Sequence, residues 1–426
     1  MIRSVKELYG NFNLKQLLQK SKSFGTYAFS YFFNAGISLL ILPVLSHYLS
    51  KQDYGVIALY TAAQTLLLPF MSMGIQLSIG VDYFKKTPES FAGYFNTAFK
   101  TILSFFLFFA VIALACNGFI ASRLHITALF AMMLPVYVLA NLAADIYLTW
   151  LRNNGKPVIY VIFSISRTIL EIGLAVLLVV RFSMGWSGRL YAAITASSVI
   201  LIFLLVVFYK KGLLKWTGFD WAASKEVLLH SLPFVPERLS VFFLTASDRF
   251  FIERYASTEQ VGLYNMAYNV ASLVMMVIMS LSAVYVPMVY QALAAGNSKK
   301  AYKTAIINIA VCLFFCLGML VVIPVFFHFI IDHKFMPGIS YAYYLTGSMF
   351  FWAVAQAFYP FLMFYKKNKE IMLIAITGTG ISVLLNSLLT PHLLAWGAVI
   401  ASAASYSVIA LLYIIYIKFY RHKMHH

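Results

Sequence analysis

The strongest constraint in this sequence is a succession of apolar runs about 20 residues long, separated by short polar connections. A helix of that length crosses the roughly 30 Å hydrocarbon core of a bilayer. Inside that core every backbone N–H and C=O must find a partner within the spanning structure, which leaves helices or closed barrels. The runs are continuous and lack strict alternation, so they predict helices. Only 11% of residues are charged, against about a quarter in soluble domains, and the mean hydropathy is +0.83. The reading is an all-α integral membrane protein of about twelve spans, at roughly 24–46, 54–80, 98–117, 124–150, 157–180, 190–209, 229–253, 260–290, 302–327, 338–364, 371–390 and 395–417. No cleavable signal peptide is read in the polar, basic stretch 1–23.

A net charge of +18 raises the question of nucleic acid, and the distribution of that charge answers it. Counting Lys and Arg outside and at the ends of the spans puts about 23 on the side of the termini and about 6 on the other. The excess is a topology signal: both termini are expected in the cytoplasm, with no nucleic acid partner. The connection at 210–228 carries Lys210, Lys211, Lys215 and Lys225 with Trp216 and Trp221, which fits a segment lying in the headgroup layer. Residues 1–23 read as a short interfacial helix. Cys116, Cys312 and Cys316 lie in apolar runs with no His or acid nearby, so they read as packing residues and no metal site is expected.

The chain also echoes itself. His47-Tyr48-Leu49-Ser50-Lys51-Gln52-Asp53-Tyr54-Gly55 shares a Tyr-x-Ser-x-x-x-x-Gly frame with Arg254 to Gly262, 207 positions later. Tyr365-Lys366-Lys367-Asn368-Lys369 similarly takes the place of Leu151-Arg152-Asn153-Asn154-Gly155. Six spans per half bring both halves into the membrane in the same orientation, so a parallel repeat about an axis along the membrane normal is expected. The predicted organisation is an arm at 1–23, a six-helix lobe at 24–209, a basic linker at 210–228, a second six-helix lobe at 229–417 and a basic tail at 418–426. A transporter with its site between two lobes follows from that plan.

Charges at bilayer depth cost several kcal/mol unless they face protein or water, so each is a site candidate. Arg167 lies ten residues in from Pro157, roughly 15 Å at 1.5 Å per residue. Glu171 is one turn further on the same face, and the two either pair with each other or line a cavity. In the seventh span Glu237, Arg238, Thr245, Asp248 and Arg249 project into an arc of about 120° on a helical wheel, a charged stripe expected to face a cavity or a buried inter-lobe network. Pro233 and Pro236 are placed to bend its start. Weaker polar stripes come from Tyr27, Ser30, Asn34 and Ser38, from Asn265, Tyr268, Asn269 and Ser272, from Gln356 with Tyr359, and from Ser382 with Asn386; small polar residues at this spacing often bond helix to helix. Asp145, near the end of the fourth span, has Arg152 as a nearby partner. His47, His328, His333 and His392 fall at outer span ends.

Leu42-Pro43-Val44-Leu45-Ser46-His47-Tyr48-Leu49-Ser50-Lys51-Gln52-Asp53-Tyr54-Gly55 resembles the first hairpin of the polysaccharide-biosynthesis flippases. Ser231-Leu232-Pro233-Phe234-Val235-Pro236, Ser247-Asp248-Arg249-Phe250 and Val261-Gly262-Leu263-Tyr264 resemble that family's seventh span and the turn after it. These are the Wzx-type O-antigen and capsule transporters of the multidrug/oligosaccharidyl-lipid/polysaccharide (MOP) exporter superfamily. The resemblance implies a V-shaped pair of lobes that opens alternately to either face. It implies an undecaprenyl-diphosphate-linked oligosaccharide as cargo, moved to the periplasmic leaflet, with polysaccharide polymerase machinery as a further partner. On that footing Arg167, Arg238, Arg249, Asn34, Asn265, Asn269 and Gln356 are candidate substrate contacts. Glu171, Glu237, Asp248 and Asp145 are candidate coupling-ion or gating groups, with a proton, sodium or the membrane potential as driving force and no cofactor. The rival readings are a drug or cation exporter of the same superfamily and, further off, a multispan glycan polymerase or glycosyltransferase. The enzyme readings need a sizeable loop or soluble domain for acid-base or metal chemistry, and no catalytic residues are assigned.

Overall fold

The computed structural model describes residues 26, 29–30, 33–34, 36–37, 40–215 and 218–421. The interfacial arm at 1–23, Tyr27, Ser38, Trp216 and Lys423 lie outside them, and so does much of the first predicted span. Among the described residues there is no strand, and eleven helices are long and apolar enough to cross a membrane. A helical segment ending at residue 48 precedes them.

The first group of helices comprises α1 (Lys51–Ser72), α2 (Ile75–Asp82), α3 (Pro88–Ala115), α4 (Asn117–Leu124), α5 (Ala128–Asn153), α6 (Pro157–Val176) and α7 (Gly185–Lys210). Here α5 packs on α1, α3 and α7, and α6 packs on α7. After the connection come α8 (Trp221–Ser231), α9 (Val235–Thr245), α10 (Asp248–Tyr255), α11 (Thr258–Ala294), α12 (Ser298–Val325), α13 (Ile339–Phe364), α14 (Asn368–Leu393) and α15 (Ala395–Arg421). In this group α13 packs on α11, α12 and α15, and α14 on α15. The largest contact between the groups is α1 against α11.

The echoed sequence frame has a local cause. Ser50 caps α1: its hydroxyl accepts from the Asp53 N–H at 3.0 Å while the Asp53 carboxylate accepts from the Ser50 N–H at 2.8 Å, a reciprocal capping box. Ser257 caps α11 with half of that arrangement: its hydroxyl accepts from the Gln260 N–H at 3.2 Å, with no bond returned by the Gln260 side-chain oxygen. The two glycines of the frame then meet across the seam. A Cβ on Gly55 would stand 2.0 Å from the Thr258 carbonyl oxygen, and one on Gly262 would stand 1.9 Å from that of Lys51. Each glycine thus lets the first turn of the opposite helix rest on its backbone, the close approach that small residues allow between membrane helices.

The seventh predicted span is broken twice. Leu232–Phe234 form a 3-10 turn at Pro233, and Pro236 opens α9, so α8 and α9 take different neighbours. The former leans on α2 and α3, the latter on α14 and α1. Gly74, in the left-handed conformation at φ 75°, receives this bend: a Cβ there would meet the Ser231 carbonyl oxygen at 2.5 Å. The second break, at Ala246–Ser247, separates α9 from α10. A wheel drawn through 237–249 loses its phase there, and the charged stripe is not one stripe.

Burial is uneven along the membrane normal. At the end carrying residues 50 and 257, one apolar cluster runs from Leu49 and Tyr54 through Val261, Tyr264 and Ala271 to Phe335. Toward the end carrying the C-terminus, the second group closes a separate cluster around Tyr285, Phe361 and Tyr413. The two groups are therefore joined at the hairpin end; toward the terminal end α8 still rests on α2 and α3, with His230 3.5 Å from Asp82, while the rest of the second group packs on itself.

Candidate functional site

On the first wall of the cleft the charges are held by neighbouring helices. Arg167 of α6 donates to the Asn141 amide oxygen on α5 and stands 3.9 Å from the Asp145 carboxylate. Glu171, one turn along α6, accepts from Arg189 of α7 at 2.8 Å. The i,i+4 pairing of Arg167 with Glu171 is thus absent; each reaches sideways to another helix. Asn34 donates to the Ser164 hydroxyl at 2.7 Å, tying the segment before residue 48 to the same wall. Asp145 finds Arg167 within 4 Å and not Arg152.

Asp145 is the exposed member of this wall. It lies eight residues from the end of α5, about 12 Å into the membrane at 1.5 Å per residue. Its side chain is nevertheless 61% exposed. A carboxylate at that depth is tolerated facing a cavity and not facing lipid. The charges that act on it are Arg167 from its own group and Arg238 from the other, so it faces the gap between them.

Across that gap, α9 presents Glu237 exposed and Arg238 half-buried. Glu237 is close enough to the Tyr359 and Tyr413 phenols of α13 and α15 to act on them electrostatically. Gln356, one turn before Tyr359, is half-buried in the same region. Arg238 has no acid within 4.0 Å among the described residues, and its Nε is buried without a hydrogen-bond acceptor.

The other acid-base pair of this region faces inward. Asp248 is fully buried, accepting from the Tyr264 hydroxyl at 2.6 Å, the Asn386 amide at 3.0 Å and the Ser402 hydroxyl at 3.0 Å. Arg249 donates to the Thr245 carbonyl and, at 3.3 Å, to Asn265, and its guanidinium centre lies 4.2 Å from the Tyr268 ring centre. These two residues knit α10, α11, α14 and α15 together. Asp248 is not on the cavity wall; Arg249 reaches it through Asn265.

Toward the hairpin end the cleft narrows to a cavity of about 330 Å³ lined by both groups. Thr168, Glu171 and Arg189 supply its polar side from the first, Asn265, Asn269 and Ser272 from the second. Arg189 also has a buried Nη1 without an acceptor. Asn141 and Arg189 are the members of this site that sequence reasoning passed over. Asn141 was one amide in an apolar run, and Arg189 sits near a span end, where a basic residue reads as topology.

The hairpin end of the cleft is shut by contacts between the groups. His125 meets Glu253 at 2.5 Å, and Thr258 also donates to that carboxylate at 3.0 Å. The Asp332 N–H donates to Ser46 at 3.2 Å, Lys334 donates to the His47 carbonyl at 3.4 Å, and the Tyr54 and Phe335 rings pack edge to face. Asp332 lies outside the spanning helices, and its carboxyl is held below the usual range by the Lys334 backbone N–H and ammonium. Among the described residues no group of three His, Cys, Asp or Glu is placed to hold a metal ion.

This architecture, two helical groups around a polar cleft, is the fold of the MOP superfamily. The chain superposes on the lipid II flippase MurJ in an inward closed conformation with a TM-score of 0.73, at 15% identity over 93% of this chain and 87% of that one. An inward-facing multidrug resistance MATE transporter gives 0.71 at 12% identity, with 93% and 95% covered. A MOP superfamily transporter from Pyrococcus furiosus, described as having a binding pocket of reversed polarity, gives 0.63 at 14%, with 95% and 96% covered. Residues 21–293 match the profile of the polysaccharide biosynthesis protein family, and the chain belongs to that family. Residues 233–388 also match the MatE profile. An uncharacterized membrane protein of Haemophilus influenzae is 21% identical over 267 residues; the matched part is 62% of this chain and 63% of that protein.

Proposed function

We propose that this protein moves an undecaprenyl-diphosphate-linked oligosaccharide from the cytoplasmic to the periplasmic leaflet by alternating access. The observation that carries the proposal is Arg238: a half-buried guanidinium within a spanning segment, in electrostatic range of Asp145 across the gap but with no acid within 4.0 Å among the described residues and a buried Nε that has no acceptor. A buried or half-buried charge is expensive without a partner, and a diphosphate supplies one through charge-assisted hydrogen bonds. Arg167 is the second cation on the cleft, already shared with Asn141 and Asp145. Asn265, Asn269 and Gln356 offer amides to sugar hydroxyls. Asp145, Glu237 and Glu171 are the carboxylates placed to exchange a coupling proton or sodium ion for the cargo.

In this reading the hairpin end is periplasmic, as the charge count requires, and the state described is open toward the cytoplasm. The residues assigned bind and release; none is asked to make or break a covalent bond.

The MatE match over 233–388 favours a second reading, export of a small organic cation. For such cargo Asp145 and Glu237 become the ligands and Arg238 a hindrance. The two readings give opposite results for one variant. Arg238→Ala in cells that need the transporter for surface glycan should abolish glycan export while the protein stays at wild-type level in the membrane. Export at wild-type rate, or improved extrusion of a cationic dye, would overturn the glycan-lipid reading.

A further inference from the structure

A second cavity lies on the outer flank of the first group, away from the cleft. It holds about 390 Å³ between α1, α3, α4 and α5, with Phe250 of α10 at its inner edge. Leu66, Phe70, Phe109, Ile112 and Leu134 form most of its wall, and Arg123 is its one charged lining residue. On α1 it occupies the face roughly opposite the cleft. Tyr54 and Ile57 line the cleft, while Ala63, Leu66, Leu67 and Phe70 line this cavity, and at 100° per residue the two sets point about 160° apart.

Water does not settle in a cavity this apolar, and left empty its walls would lose dispersion contacts. Hydrocarbon is the filler that a bilayer supplies. The mouth then selects the headgroup. Arg123 is exposed in the last turn of α4 at the hairpin end, with its guanidinium centre 5.4 Å from the Phe119 ring centre and no acid within 4.0 Å among the described residues. A cation at the rim of an apolar slot fits a phosphate whose acyl chain lies in the slot. The cargo lipid is a poorer fit: in the reading above its charge sits in the cleft, on the far side of α1.

We infer that this cavity is a binding site for an anionic phospholipid of the hairpin-end leaflet, with one acyl chain along Leu66, Phe109 and Phe250 and the phosphate on Arg123. The site touches the seam. Leu66 and Phe250 also pack against Ala62, Phe242 and Ala246, the apolar patch that closes α1 onto α9 and α10. A chain lying there braces the contact that must part when the hairpin end opens. That last consequence rests on the alternating-access reading; the binding itself does not.

The test measures binding, not transport. Purified protein in a neutral detergent is titrated with phosphatidylglycerol or phosphatidylcholine and the retained lipid is counted by native mass spectrometry. A photo-crosslinking side chain at Phe119, at the rim, identifies the lipid captured from mixed vesicles. One phosphatidylglycerol should be retained per protein; Arg123→Gln should weaken it about fivefold, the scale expected for one cation near an anionic headgroup, without changing retention of phosphatidylcholine. Ala63→Leu, which fills the slot, should weaken both lipids. Equal retention of both lipids by the wild-type chain, or a Phe119 crosslink that follows bulk vesicle composition, would overturn the inference. So would Arg123→Gln holding phosphatidylglycerol as tightly as wild type. A protein that passes this test yet moves no glycan lipid would lose its proposed cargo and keep this site.

Discussion

Replacing Gly262 by Ala puts a methyl group 1.9 Å from the Lys51 carbonyl oxygen and 2.8 Å from its carbon. Carbon approaches a carbonyl oxygen no closer than about 3.3 Å, so α1 and α11 must part by about 1.4 Å or tilt. The Lys51 carbonyl is backbone in the capped first turn of α1 and the methyl is fixed to the α11 backbone, so no flexible side chain can swing aside. Overpacking of this kind costs about 1–3 kcal/mol. The same change gains up to about 1 kcal/mol of helix propensity, but equally in states with this end closed or apart, so the penalty on the hairpin-closed state stays at about 1–3 kcal/mol. That is a shift of about five- to 150-fold in population toward states with this end apart. Spin labels at Thr127 and Glu259, both exposed at the hairpin end on opposite groups, report the separation once Cys116, Cys312 and Cys316 are replaced. The distance distribution should broaden to longer values in Gly262→Ala and in Gly55→Ala. Gly173→Ala, where a Cβ meets nothing within 4 Å, should leave it unchanged and raise the melting temperature. An unaltered distance in Gly262→Ala together with a raised melting temperature would mean that these two glycines do not set the closed seam.

Other consequences follow from the same contacts. Asp248→Leu leaves the Tyr264 hydroxyl, the Asn386 amide and the Ser402 hydroxyl without their shared acceptor, and should cost on the order of 3–5 kcal/mol, read as a loss of folded protein in a detergent melt. Glu253→Gln removes the carboxylate charge that meets His125 across the groups and should lengthen the Thr127–Glu259 distance; a wild-type distance in that variant would remove the contact from the closure. Asp332 has a lowered carboxyl pKa, so its stabilising contribution is present above the unfolded-state value near 4 and is lost as pH falls through the lowered value. The melting temperatures of wild type and Asp332→Asn should therefore converge as the pH is taken down through that range, and a gap that persists at the acid end would contradict it.

Much of this was legible from residue patterns because the bilayer enforces them. Apolar runs gave the helices, Pro233 and Pro236 gave the bend, and the repeated Tyr-x-Ser-x-x-x-x-Gly frame pointed to two equivalent places in the halves. What the frame could not say is that the two copies meet, each glycine receiving the other copy's first turn. The site was legible as a set of residue types and not as pairings. Arg167 and Glu171 sit at ideal spacing to pair on one helix, yet Asn141, Asp145 and Arg189 on α5 and α7 outbid that local choice, because partner selection is decided by packing between spans. Asp248 was misplaced by the same kind of local rule: a continuous wheel has no means of showing the break at Ala246–Ser247. Arg189 was hidden by its position near a span end, and its buried, unaccepted Nη1 is visible only in three dimensions.

In the proposed function a glycan headgroup on a lipid diphosphate crosses the membrane through the cleft between the two groups. Its most direct test is purified protein in vesicles loaded with a fluorescent undecaprenyl-diphosphate oligosaccharide, with a membrane-impermeant quencher added outside and a proton or sodium gradient imposed. Wild-type vesicles should lose the fluorescence of the inner-leaflet pool while Arg238→Ala vesicles keep it. An inner pool that stays protected with wild-type protein under every gradient would contradict it.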